Sequence, residues 1–267
     1  MPSATDSQAP IDPAPGHPEV LRIVAPNPGP MTLAGTNTYV VRAPEAYVID
    51  PGPADPEHLA RVAESAAGQI AGVILTHSHA DHSAGAEALG APLLWGTVTE
   101  ATDWSEVADA ARAEPGPEPP ERVGPFEVVP TPGHAADHVA LALDGVCFCG
   151  DLVLGEGSSI VIPGGGGLAA YLASLERLRD GDFDLLCPGH GPFITEPRAK
   201  LDSYREHRLD RERRLVAALD GGERSRERLL DAVWDDVPPA LRPAAALAME
   251  VHLEKLAAEG RLPPGLA

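Results

Sequence analysis

The chain has 267 residues, 43% of them hydrophobic, enough for one large domain or a main domain with a small second one. A net charge of −20 argues against a protein that coats nucleic acid generally. No run approaches the ~18 unbroken apolar residues of a membrane-spanning helix.

Met1 to Pro18 carries five prolines and no apolar stretch of the kind a secretory leader needs. Residues 1–19 therefore read as a disordered arm, and cytoplasm is the expected location. Strand-like runs follow at Thr38–Val41 and Tyr47–Ile49, separated by the turn residues Ala43-Pro44-Glu45. Asp55-Pro56 opens a helix with Leu59, Val62, Ala63 and Ala66 on one face. The apolar run Val73-Ile74-Leu75 leads into Thr76-His77-Ser78-His79-Ala80-Asp81-His82, and Ser83 to Leu89 reads as a short helix. Residues 99–122 are acidic and rich in proline, which suggests a surface loop and a candidate lid. Strands are expected at Phe126–Val129, Val139–Leu143 and Val146–Cys149, with Asp144-Gly145 as a hairpin turn. Cys147 and Cys149 then share one strand face and, with Cys187, read as packed thiols rather than a disulfide framework. After Gly164–Gly167, the stripe Leu168, Tyr171, Leu172, Leu175 and Leu178 has helical spacing and reads as core. Leu185-Leu186-Cys187 is a further strand, and from Arg198 onward three helices are expected, broken near Leu219 and Trp234 and stopped at Gly260.

The chemistry concentrates at seven positions: His77, His79, Asp81, His82, His134, Asp151 and His190. Imidazole nitrogen and carboxylate oxygen are the donors that hold zinc where a coordination position stays open. Each candidate directly follows an apolar strand-like run. His77 and His79, two apart on extended chain, aim at one point; Asp81 and His82, where the chain turns, face a second. A glycine stands just before His134, Asp151 and His190, which permits a sharp turn and close backbone approach. Seven donors exceed one tetrahedral ion, so two metals are expected: His77, His79 and His134 on the first, Asp81, His82 and His190 on the second, with Asp151 between. Such a pair lowers the pKa of a bridging water to about 7. Asp81 is the expected catalytic residue, orienting that hydroxide and taking a proton. Asp50 reads as a carboxylate that holds a ligand histidine, and His138 as a substrate contact. His17, His58, His207 and His252 read as ordinary core or surface histidines.

In this order, THSHADH, TPGHAADH, the Gly150-Asp151 pair and PGHG resemble the metallo-β-lactamase superfamily over about residues 20–195. The resemblance implies an α/β fold: an αββα four-layer sandwich of two mixed sheets, with helices outside and metals at one rim. Asn27 to Tyr39, Gly150 to Gly157 and the Arg-rich helix after His190 are similar to the β-lactamase-like protein 2 group. That similarity implies a catalytic domain over 20–197, a helical winged-helix-like domain over 198–267, and endoribonuclease activity on single-stranded RNA. The 38 residues between Asp151 and His190 leave no room for the inserted domain of the β-CASP nucleases.

Two functions stay open. One is a two-zinc RNA phosphodiesterase whose phosphates follow residues 198–230, where ten Lys/Arg face seven acids. The other is a hydrolase of thioesters, lactones or a glutathione thioester, the basic helix being scaffold. Manganese or iron can replace zinc in such a site, and an iron-dependent persulfide dioxygenase is a third, weaker reading.

Overall fold

The computed structural model describes residues 10–99 and 117–266. Ile11–Ala14 (β1), His17–Val24 (β2), Asn37–Ala43 (β3) and Glu45–Ile49 (β4) form an antiparallel meander. Helix Pro56–Ser65 (α1) follows; the Asp55 side chain accepts from the His58 N–H at its start, and Pro56 loses no hydrogen bond there. Ile70–Ile74 (β5) then pairs parallel to β4, and Leu93–Trp95 (β6) parallel to β5, completing a six-stranded sheet in sequence order. Between these two strands lie the one-turn helix Ala80–Ser83 (α2) and a 3-10 turn at Glu87–Leu89.

The second sheet holds Arg122–Val123 (β7), Phe126–Pro130 (β8), Val139–Leu143 (β9), Val146–Gly150 (β10) and Leu185–Pro188 (β11), in the order β11-β10-β9-β8-β7. Asp144 and Gly145 have φ of 47° and 82°, the left-handed pair that a two-residue hairpin between β9 and β10 requires. The crossover from β10 to its parallel neighbour β11 carries helix Gly167–Arg179 (α3).

Alternation along the strands explains the layers. Tyr39, Val41, Ile49 and Ile74 from the first sheet meet Phe126, Leu141, Phe148 and Cys187 from the second in one cluster. The opposite face of the first sheet, with Val40, Val48 and Val73, packs on Val62 of α1. The opposite face of the second, with Cys147, Cys149 and Leu186, packs on Leu168, Tyr171 and Leu175 of α3. The result is an αββα sandwich.

The C-terminal part contains Pro197–Asp220 (α4), Arg226–Val233 (α5) and Arg242–Ala258 (α6) around their own cluster of Leu215, Leu229, Trp234, Met249 and Leu256. Helix α4 serves both units: Leu201 and Tyr204 pack under the second sheet, Leu215 and Leu219 in the C-terminal cluster. A division at residue 198 thus falls at the start of a helix that the two units share.

Other expectations need correction. Residues 11–19 are not an arm: β1 pairs with β2, and the Arg22 guanidinium donates to Asp12 at 2.7 Å. Residues 1–9 lie outside the described residues, as do 100–116 of the expected lid. In place of one helix over 83–89 there are α2, Ala80–Ser83, and a separate 3-10 turn, so Asp81 and His82 sit inside a helix rather than before one. Among the described residues, no helix is long and apolar enough to cross a membrane.

Phe148 is 1% exposed, and its ring meets Tyr39 at 5.3 Å and Phe126 at 5.8 Å, both edge-on. Phe148→Ala should lower unfolding free energy by about 3–5 kcal/mol in a denaturant titration. A loss below about 1 kcal/mol would mean that the inter-sheet core is not centred there.

Candidate metal centre

The site forms where five strands end. β5 leads into residues 76–82, β8 into His134, β10 into Asp151, β11 into His190 and β4 into Asp50. Backbone approach is close. A Cβ on Gly189 would lie 2.2 Å from Asp151 Oδ1, and one on Gly133 (φ 143°) would lie 2.5 Å from Tyr171 Cα. Only glycine allows His190 and His134 to enter at these points.

All seven expected donors come together. His79 Nδ1 stands 3.0 Å from both His77 Nε2 and His134 Nε2. On the other side, His190 Nε2 is 3.3 Å from Asp81 Oδ2, and His82 Nε2 is 3.5 Å from the same oxygen. Within each trio the candidate ligand atoms lie within 4.8 Å of one another. Asp151 lies between them, with Oδ2 3.3 Å from His190 Nε2 and 3.7 Å from His134 Nε2, and Oδ1 3.5 Å from His82 Nε2.

The outward ring nitrogens have partners that orient the rings. His134 Nδ1 donates to Ile160 O at 2.9 Å and His190 Nδ1 to Gly35 O at 3.2 Å, so each turns its Nε2 inward. Asp50 is buried with φ 49°. Its Oδ1 accepts the Thr76 N–H at 2.8 Å, and its Oδ2 accepts Thr76 Oγ1–H at 2.7 Å and His82 Nδ1–H at 3.0 Å. Thr76 Oγ1 in turn accepts from His77 Nδ1 at 3.0 Å. Asp50 therefore steers one histidine of each trio.

His138 does not line the cleft bordered by His79, Asp81, His134, Asp151 and His190. Its buried ring spans Thr131 Oγ1 at 2.8 Å and the Asp151 N–H at 3.2 Å, so it positions Asp151 rather than substrate. His58 bonds Thr38 Oγ1 at 2.9 Å, an ordinary buried histidine. Sequence reasoning missed Thr36, whose Oγ1–H donates to Asp81 Oδ2 at 3.3 Å and accepts from Asn27 Nδ2 at 2.9 Å. The Asn27-to-Thr38 segment was the available signal, but nothing local ties it to Asp81.

Electrostatics fit a pair of cations. Burial, reinforced by neighbouring imidazoles, holds His77 well below its usual range and His79 at about 3, so both keep open lone pairs. Burial alone would raise Asp81 and Asp151; His82 and His190 beside them outweigh it and hold both carboxyls ionised. His190 in turn is lifted to about 9, against its burial, by Asp151. Two ionised carboxylates, Asp151 buried and Asp81 half-buried, thus demand positive charge, which divalent ions supply directly. His82 Nε2 and Asp151 Oδ1 are buried without a hydrogen-bond partner among the described residues, as donor atoms reserved for a metal would be.

Comparison with known proteins agrees with this geometry. Residues 31–190 match the metallo-β-lactamase superfamily. The chain belongs to that superfamily. Residues 225–262 match the β-lactamase-associated winged-helix domain, which is the α5–α6 region. The β-lactamase-like protein 2 homolog of Drosophila melanogaster is 33% identical, over 91% of this chain and 89% of its own. An atrochrysone carboxyl ACP thioesterase of Aspergillus chevalieri is 34% identical, over 76% of this chain and 66% of its own. Among solved structures, a β-lactamase domain protein from Burkholderia ambifaria shares the fold, with a TM-score of 0.73, 23% identity, and coverage of 97% of this chain and 91% of that one.

Asp50→Asn should weaken metal retention about 10–100-fold. Competition with a chelator, followed by metal analysis, measures it. Unchanged retention would show that Asp50 only shapes the turn.

Proposed function

We propose that the chain is a binuclear metal-dependent hydrolase of thioesters or related carboxylic derivatives, holding zinc, with manganese or iron as substitutes. The cleft carries this reading. His79, Asp81, His134, Asp151 and His190 line a single cleft of about 870 Å³ whose wall also includes Leu154, Val237, Leu241, Ala244 and Ala248. That volume and apolar lining suit a small molecule. Three arginines of α4 that an RNA substrate would use are already paired with acids. Arg205 bonds Glu176 at 3.0 Å, Arg214 bonds Asp235 at 2.6 Å, and Arg211 forks onto both oxygens of Asp236 at 2.6 and 2.8 Å. The fungal relative named as a thioesterase supports the same substrate class.

His77, His79 and His134 would hold one ion, Asp81, His82 and His190 the other, with Asp151 shared between them. Bound metals supply an acidified water and Lewis-acid stabilisation of the developing oxyanion. The chain's own groups do the rest. Asp81 is the accessible carboxylate of the cluster, with its side chain 31% exposed. The Thr36 hydroxyl fixes Oδ2, so the carboxylate can orient an attacking water and accept its proton. Water oxygen bonds to the acyl carbon, the C–S bond breaks, and the thiol leaves with a proton. The acid product departs as a carboxylate. Lys200, on the cleft wall, and the winged-helix unit favour the second reading, cleavage of single-stranded RNA.

Asp81→Ala should lower kcat by at least about 100-fold with the fold intact by circular dichroism; retained turnover removes Asp81 from the mechanism. Purified protein should carry about two metal ions and hydrolyse a neutral acyl thioester in preference to labelled single-stranded RNA. RNA cleavage with inert thioesters would replace the reading with the second one.

A further inference from the structure

Arg208 is 4% exposed and lines the cleft, yet no carboxylate pairs with it among the described residues. From Nη2 it donates to Ser158 Oγ at 3.1 Å and to Ser159 O. Nε has no partner among the described residues. The guanidinium lies over the Tyr171 ring, 5.2 Å from its centroid. One turn further along α4, Arg211 is equally buried but is neutralised by its two-pronged contact with Asp236. The groups that sense the Arg208 charge include Tyr171, Tyr204, His207 and His252, none of them an acid. Burial and this guanidinium hold His207 at about 4 and His252 at about 3, so neither adds charge near neutral pH.

An uncompensated buried cation is costly, and guanidinium is among the groups least often buried without a counter-ion. Here it borders the site. The Ser159 carbonyl that it grips belongs to the loop whose Ile160 O orients His134. We infer that Arg208 is a specificity residue that pairs with a carboxylate on the acyl part of the substrate. The inference rests on the thioesterase reading and narrows it to half-thioesters of dicarboxylic acids. A singly charged carboxylate matches one guanidinium.

N-acetylcysteamine thioesters place the charge on the acyl side alone, so glutaryl-N-acetylcysteamine and its methyl ester form the test pair. A charge-assisted hydrogen bond of ordinary strength predicts about a ten- to hundredfold higher kcat/KM for the free acid. Arg208→Gln, which keeps a donor for Ser159 O, should bring that ratio near one, carried mostly by KM. Arg208→Lys should restore part of it. A purely structural Arg208 would lower both substrates together and leave the ratio intact, which overturns the inference. So does a wild-type ratio near one, a result that needs no variant to fold. In either case, hydrolysis of both esters leaves the thioesterase reading standing. If neither thioester is cleaved, the reading falls and the inference falls with it.

Discussion

The Asp50 carboxylate is the constraint on which the site depends. It sits at the end of β4, in a left-handed backbone conformation that asparagine and aspartate tolerate better than most residues. From there its oxygens hold the Thr76 N–H, the Thr76 hydroxyl and His82 Nδ1. The first two pin the chain leaving β5, and the third sets the ring of a residue inside α2. Because Thr76 passes the constraint to His77 Nδ1, one buried carboxylate orients an imidazole of each trio. A charged group so deeply placed is stable only when its lone pairs are filled.

The neighbouring strand ends contribute through steric permission rather than attraction. Gly189 leaves the space that Asp151 Oδ1 and the edge of His82 occupy, and Gly133 lets the backbone before His134 press on α3. His138 then fixes Asp151 from behind through its backbone N–H. Donors on four loops become one cluster because each lies at or just past the end of a strand.

What the sequence disclosed follows from how local each signal is. The spacing of His77, His79, Asp81 and His82 carries its own geometry, since an extended stretch running into a helix splits them into two directions. The glycines before His134, Asp151 and His190 mark turns that any reader of φ preferences can find. The shared strand face of Cys147 and Cys149 was likewise legible, and both pack toward α3. Long-range pairings left no such trace. Asp235 and Asp236 lie more than twenty residues from the arginines they neutralise, so a basic count over residues 198–230 overstated the charge available to a ligand. Pro13 suggested disorder, yet β1 is an edge strand, where a missing N–H costs little. His138, four residues past His134, read as a substrate contact, whereas its partners are Thr131 and the Asp151 backbone.

Helix α4 shows why the C-terminal unit is more than an appendage. Lys200, Tyr204 and Arg208 repeat every four residues and so share one helical face. Lys200 Nζ donates to Gly155 O at 2.9 Å. The Tyr204 hydroxyl accepts the Leu154 N–H and donates to Gly157 O, both at 3.0 Å. Arg208 holds Ser158 and Ser159. These contacts strap the loop between Asp151 and Ile160, the segment that carries the shared carboxylate at one end and the carbonyl orienting His134 at the other. The far half of α4 packs with Trp234 and Leu229 in the C-terminal core, and α6 adds alanines to the cleft wall. A substitution in that core therefore reaches the metal-binding loop through one continuous helix. Substrate selection and ligand geometry are coupled because the same helical face secures the loop and lines the cleft.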